Sequence, residues 1–204
     1  MKPISNFDSA KEEAKKQAES VSFEKLPIGL YVAKIVNVRF EEGKDGASDK
    51  IVLAYDIAEG DQKEYFKKRF EADTSENKKW KGVIKLYVPK DDGTDSEWAV
   101  KNFAKVITNF ELSNPGFVWD WDEKKLKGKL IGVAVGEVED TIEGRICCWT
   151  EYRWSLTAED ARNNKGKIPE KKYKNGNVPA ATNEGSVTDN GEWVANPDKE
   201  DIPF

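Results

Sequence analysis

Two stretches of this chain carry side chains suited to holding a polyanion with flat bases. The first runs from Gln62 to Lys81 and interleaves cations with rings: Lys63, Tyr65, Phe66, Lys67, Lys68, Arg69 and Phe70, then Lys78, Lys79, Trp80 and Lys81. Cations track phosphates, and aromatic faces stack on unpaired bases at about 1–3 kcal/mol each. Read as a strand, Gln62–Glu71 puts Lys63, Tyr65, Lys67 and Arg69 on a solvent face; Phe66, Lys68 and Phe70 take the other, with both Phe rings inward. For any single residue, a solvated charged side explains the pattern equally well. As a patch, the set favours a nucleic-acid contact.

The second stretch, Arg145–Leu156, repeats the pattern. Arg145, Cys147, Trp149, Glu151 and Arg153 share one face; Ile146, Cys148, Thr150, Tyr152 and Trp154 share the other. Taking the second set as core leaves Trp149 for stacking and Arg153 for phosphate. Arg39 and Lys50, at the end and start of two further strands, add cations, and Lys165–Lys174 either extends a phosphate track or holds an acidic segment. Trp98, Phe103 and Phe110 read as core, while Trp119 and Trp121 either cover a barrel end or line the ligand path.

Catalytic chemistry has no evident carrier. Histidine is absent, and no nucleophile-elbow or phosphate-loop motif occurs. Asp91-Asp92, Asp120/Asp122 and Glu139-Asp140 sit in turn-like positions without a lysine-bearing motif, so they read as solvated turns, not Mg²⁺ ligands. Cys147 and Cys148 are neighbours on opposite strand faces, unsuited to a mutual disulfide or zinc, and read as reduced thiols of a cytoplasmic protein. No enzyme, metal or cofactor is expected.

These residues need a scaffold, and the periodicity supplies one. Leu30–Phe40 and Lys50–Ala58 read as strands, the second with Ile51, Leu53, Tyr55 and Ile57 inward; Gln62–Glu71 reads as a third. Trp80–Pro89 adds a further strand or an extended excursion. Asp95–Phe110 changes to helical spacing, with Asp95 or Ser96 as N-cap and Asn114-Pro115-Gly116 as stop. Lys124–Glu137, with Gly128, Gly132 and Gly136 at bends or bulges, and Arg145–Leu156 complete the strands. Three strands, a helix and two strands is the order of a five-stranded OB-fold barrel, mainly β, with one helix between strands three and four. The pattern alone leaves other small barrels open. Residues 1–26 form an N-terminal segment with a short helix over Asp8–Ser20, 27–162 the barrel, 163–197 a disordered linker and 198–204 a tip.

Charge is divided along the same boundaries. Asn175–Phe204 holds six acids (Glu184, Asp189, Glu192, Asp198, Glu200, Asp201) against Lys199, a net of −5, which is the charge of the whole chain. The preceding body is therefore balanced, and a polyanion site on it must be a local patch. No stretch is apolar enough to cross a membrane or to act as a signal peptide.

The tip itself, Asp198, Glu200, Asp201, Ile202, Pro203 and Phe204, suits presentation to another protein. Phe204 can fill an apolar pocket, an Arg can grip the terminal carboxylate, and Pro203 lowers the ordering cost. Asp201-Ile202-Pro203-Phe204 behind acidic residues resembles the C-terminal tip of bacterial single-stranded DNA-binding proteins. With the strand order over residues 27–160, the chain resembles the phage-encoded OB-fold members of that family. The resemblance implies sequence-tolerant coating of single-stranded DNA in replication, recombination and repair. It also implies recruitment of enzymes for those processes through the tip, in the bacterial host cytoplasm, by a monomer or homo-oligomer. The rival expectation is a protein-only adaptor or decoy that mimics the host protein's tip without touching DNA.

Overall fold

The computed structural model describes residues 6–11, 24–44, 46–90, 96–142 and 145–174. The tip and most of the linker lie outside them, as does most of the expected N-terminal helix, of which residues 7–11 are helical. Strands β1 (Gly29–Glu41) and β2 (Lys50–Ile57) pair antiparallel. In β2, the alternation holds: Ile51, Leu53, Tyr55 and Ile57 are all at most 3 % exposed.

The expected third strand is a helix. Tyr65–Ala72 forms α1, entered through a left-handed Glu64 (φ 59°) that offers no side-chain cap. Asp56 at the end of β2 supplies the cap, its carboxylate accepting from the backbone N–H of Phe66 (2.9 Å) and Lys67 (3.1 Å). The segment has no β-branched residue, and besides Tyr65, Phe66 and Phe70 it holds only Lys, Arg, Glu and Ala, all good helix formers. Tyr65 and Phe66 face inward, packing edge-on at 5.1 Å between centroids. The period-2 reading thus mistook a short helical stripe for an alternation.

The third strand is instead β3 (Val83–Tyr87), paired with β2. Gly82 precedes it because a Cβ there would meet the Tyr55 carbonyl oxygen at 2.5 Å and the Phe66 ring at 2.6 Å. Helix α2 (Glu97–Ser113) follows, its Ser96 hydroxyl accepting from the Ala99 N–H. Phe103, Val106, Ile107 and Phe110 face the core, and Asn109 donates to the Ser155 hydroxyl at 3.0 Å. Trp98 departs from expectation: it is 58 % exposed. Five residues before Phe103, it lies about 140° round the helix from it. Asn114 ends α2 and clamps it to the next strand, exchanging hydrogen bonds with Leu130 N–H (2.9 Å) and C=O (2.8 Å).

A 3₁₀ turn (Glu123–Leu126) occupies the start of the expected fourth strand, and Gly128, at φ 82°, leads into β4 (Leu130–Ile142). The remaining elements are β5 (Arg145–Leu156), the short helix α3 (Ala158–Arg162) and β6 (Lys172–Tyr173), which lies parallel to β4. Within the stretch assigned to the linker on composition, Lys172 and Tyr173 thus pair with the sheet. The strand order is β3-β2-β1-β4-β5, antiparallel along this path, with β6 on β4. The protein is mainly β, with α2 between strands three and four. Among the described residues no ladder joins β3 to β5, so the sheet is open, not the closed barrel expected. Its main core lies between the inner face of the sheet and α2. A smaller core beneath α3 gathers Leu30, Val32, Ala134, Ala158 and Ala161 on the opposite face.

Candidate nucleic-acid interface

Beyond α3, no element among the described residues covers the outer face of β1–β2–β3, and register decides what stands there. An irregularity between Ile35 and Asn37 shifts β1 by one residue, so Arg39 and Glu41 face outward while Val38 stays on the core side. Arg39 pairs with Val52, which pairs with Lys85; Glu41 pairs with Lys50, which pairs with Tyr87. Cross-strand partners share a face. The result is two adjacent rows, Arg39–Val52–Lys85 and Glu41–Lys50–Tyr87.

Within them, Lys50 bonds Glu41 at 2.9 Å and Arg39 is also ion-paired to Glu41. The Lys50 hydrogen bond, reinforced by Arg39, holds the Glu41 carboxyl below its ordinary range. Two cations and one anion leave one net positive charge. Lys85 is exposed and joins no ion pair among the described residues; Tyr87, on the outermost strand, is 61 % exposed. The face thus offers a flat ring beside cations about one strand spacing away. Lys85 and Tyr87 were missed from sequence, although Val83–Tyr87 alternates with Ile84 and Leu86 inside.

The other anticipated contacts do not join them on one strand. Lys63, just before α1, and Lys67, within it, are exposed, Lys67 lying 3.4 Å from Glu64. Arg69 is half-buried, its guanidinium 3.5 Å from the Tyr65 hydroxyl. Tyr65 is 6 % exposed and donates to the Glu24 carbonyl, so it is a packing residue, not a base platform. Trp80 is also committed: its indole N–H donates to Tyr55 C=O at 2.9 Å and its ring packs against Phe70. Helix formation removed the alternation that would have aligned these groups.

On β5 the two-face division fails at a bulge. Ala134 pairs with Trp154 but Val135 pairs with Tyr152, leaving Arg153 unpaired between them. Tyr152 consequently packs on the main core and Trp154 on the smaller one. Ile146, expected inside, is 70 % exposed, and Cys148 is exposed. The Arg153 side chain is only 11 % exposed, with Glu151 at 3.9 Å and a buried Nη1 that has no hydrogen bond among the described residues. It packs along the strand and does not present an open phosphate contact. Trp149 is half-buried under Lys174, whose ammonium sits 4.9 Å from the ring centroid, and its N–H donates to Glu151.

Trp119 and Trp121 wall a separate groove of about 700 Å³ with Pro89, Val100, Phe103 and Ile107. Trp121 is 70 % exposed and stacks on Phe103 at 5.9 Å, whereas the Trp119 N–H is buried and has no hydrogen-bond partner among the described residues. Among the described residues no three His, Cys, Asp or Glu side chains stand together as metal ligands, and no helix is long and apolar enough to cross a membrane.

No family model matches the chain, and no curated protein matches it.

Proposed function

We propose that this chain binds single-stranded DNA with little sequence preference, using the outer face of β1–β2–β3. One observation carries the reading: Arg39, Lys50, Lys85 and Tyr87 stand together on a sheet face left open among the described residues, with cations flanking an exposed ring. The strand order supports it too. β3-β2-β1-β4-β5, with α2 between β3 and β4, is the order of an OB-fold left open at the seam between its third and fifth strands. OB-folds bind oligonucleotides on the second and third strands. Trp149 with Lys174 forms a second aromatic–cation pair for the same ligand.

The remaining parts follow from the tail. Asp198, Glu200, Asp201, Ile202, Pro203 and Phe204 recruit replication, recombination or repair enzymes to the coated strand, in a bacterial host cytoplasm. A fluorescence-anisotropy titration of labelled oligo(dT) at low and moderate salt tests the DNA reading. Tight binding that weakens steeply with salt supports it. Absence of binding at low salt favours the rival, a protein-only adaptor or decoy. The rival has one observation of its own: Arg39 and Lys50 are both already engaged by Glu41.

A further inference from the structure

The outer edge of β5 is unguarded. Among the described residues β5 pairs only with β4, and no backbone hydrogen bond leaves its other side. Open edges invite pairing, and proteins usually blunt them with lysine, proline, bulges or short strands. The half from Arg145 to Glu151 carries no lysine, proline or bulge; the bulge comes later, at Arg153. This half also extends beyond the flank of β1, whose pairing with β4 ends at Val135. At this end of the ladder Ile146 is 70 % and Ile142 49 % exposed, one on each face of the ribbon.

We infer that this edge takes a second copy of the chain, β5 against β5 in antiparallel register, with Cys148 on the twofold axis. The inference is independent of what the β1–β2–β3 face binds. Antiparallel pairing about a twofold sets one residue opposite its own copy, and charge selects which. With the axis at Trp149, Arg145 falls opposite the packed-away, bulged Arg153 of the second copy and gains no acidic partner; with the axis at Glu151, two glutamates face each other. Like charges directly opposite are destabilising. With the axis at Cys148, Arg145 faces Glu151 of the second copy, twice over, while Ile146 faces Thr150 and Cys147 faces Trp149. A Glu151–Arg153 register would need the Arg153 side chain, which is packed away at 11 % exposure behind the bulge. Seven residues per strand make a ladder about 23 Å long. An interface of that kind falls at the small end of specific contacts, so the dimer dissociates on dilution.

Sedimentation velocity of the full chain across the micromolar range tests the inference. A concentration-dependent monomer–dimer equilibrium is expected. Glu151→Arg should weaken it about tenfold by opposing Arg145, and adding Arg145→Glu should restore it. A second readout needs no charge change. In Cys147→Ser, oxidised glutathione should link two chains through Cys148, the two thiols reducing it to two glutathiones; Cys148→Ser should give no linked dimer. A wild-type chain that stays monomeric throughout, a double charge swap no better than the single, or linkage through Cys147 would each overturn it.

Discussion

On the proposed reading, Glu41 governs how much of the sheet face is available to a polyanion. It holds both Arg39 and Lys50, and their cations hold its carboxyl ionised below the ordinary range. A phosphate must compete with this carboxylate, whereas Lys85 is free to pair without rearrangement. Tyr87 has no packing duty, so its removal reports on ligand and not on the fold. Tyr87→Ala should weaken oligo(dT) binding by about 1–3 kcal/mol, roughly five- to 150-fold, with an unchanged urea midpoint. Glu41→Gln should strengthen it. Lys85→Ala should lower the slope of log affinity against log salt by about 0.7, the value of one phosphate contact on a single strand. Anisotropy titrations over a salt series read all three.

Helix α1 shows how one buried carboxylate redirects an element. Without Asp56 the first turn of α1 would have no acceptor for the Phe66 and Lys67 N–H groups. Asp56→Ala should therefore cost about 1–3 kcal/mol in urea denaturation, with Asp56→Asn losing less because it keeps an acceptor. Burial raises the Asp56 pKa despite these bonds. A folded-state pKa above the unfolded one means that folding stability declines as pH rises through this range and Asp56 ionises, and that protonating it favours the fold, so Asp56 does not drive acid unfolding even though its hydrogen bonds hold α1. Glu41, Glu59 and Glu139, held low by Lys50, Arg162 and Lys171, act in the opposite sense, their contribution being lost as pH falls below the carboxylate range.

The elements most legible in the sequence were those decided by local pattern. β2, β5 and α2 stand where periodicity put them, Ser96 caps α2, and the inward set of β2 is as read. What failed depended on distant partners. No pattern within Gln62–Glu71 reports that Asp56 will cap it, and none within Arg145–Leu156 reports that β4 will force a bulge at Arg153. The placement of the anticipated contacts was only partly legible. Arg39 and Lys50 lie on the proposed face and Trp149 beside Lys174, whereas Tyr65, Trp80 and Arg153 are spent on packing.

At the scale of the whole molecule, charge is split between a balanced body and a tail from Asn175 to Phe204 carrying −5. That split separates the two proposed tasks, since the tail repels the ligand that the sheet attracts. Deleting Phe204 should abolish recruitment of partner enzymes in a pull-down on coated single strands while leaving DNA affinity unchanged or slightly raised. The most direct test is an anisotropy titration of labelled oligo(dT) with the chain lacking Asp198–Phe204, compared with the same chain carrying Lys85→Glu and Tyr87→Ala. Nanomolar-range binding by the first, steeply salt-dependent and lost in the second, is the predicted result. No binding by the first at low salt, or equal binding by both, would contradict a DNA site on the outer face of β1–β2–β3.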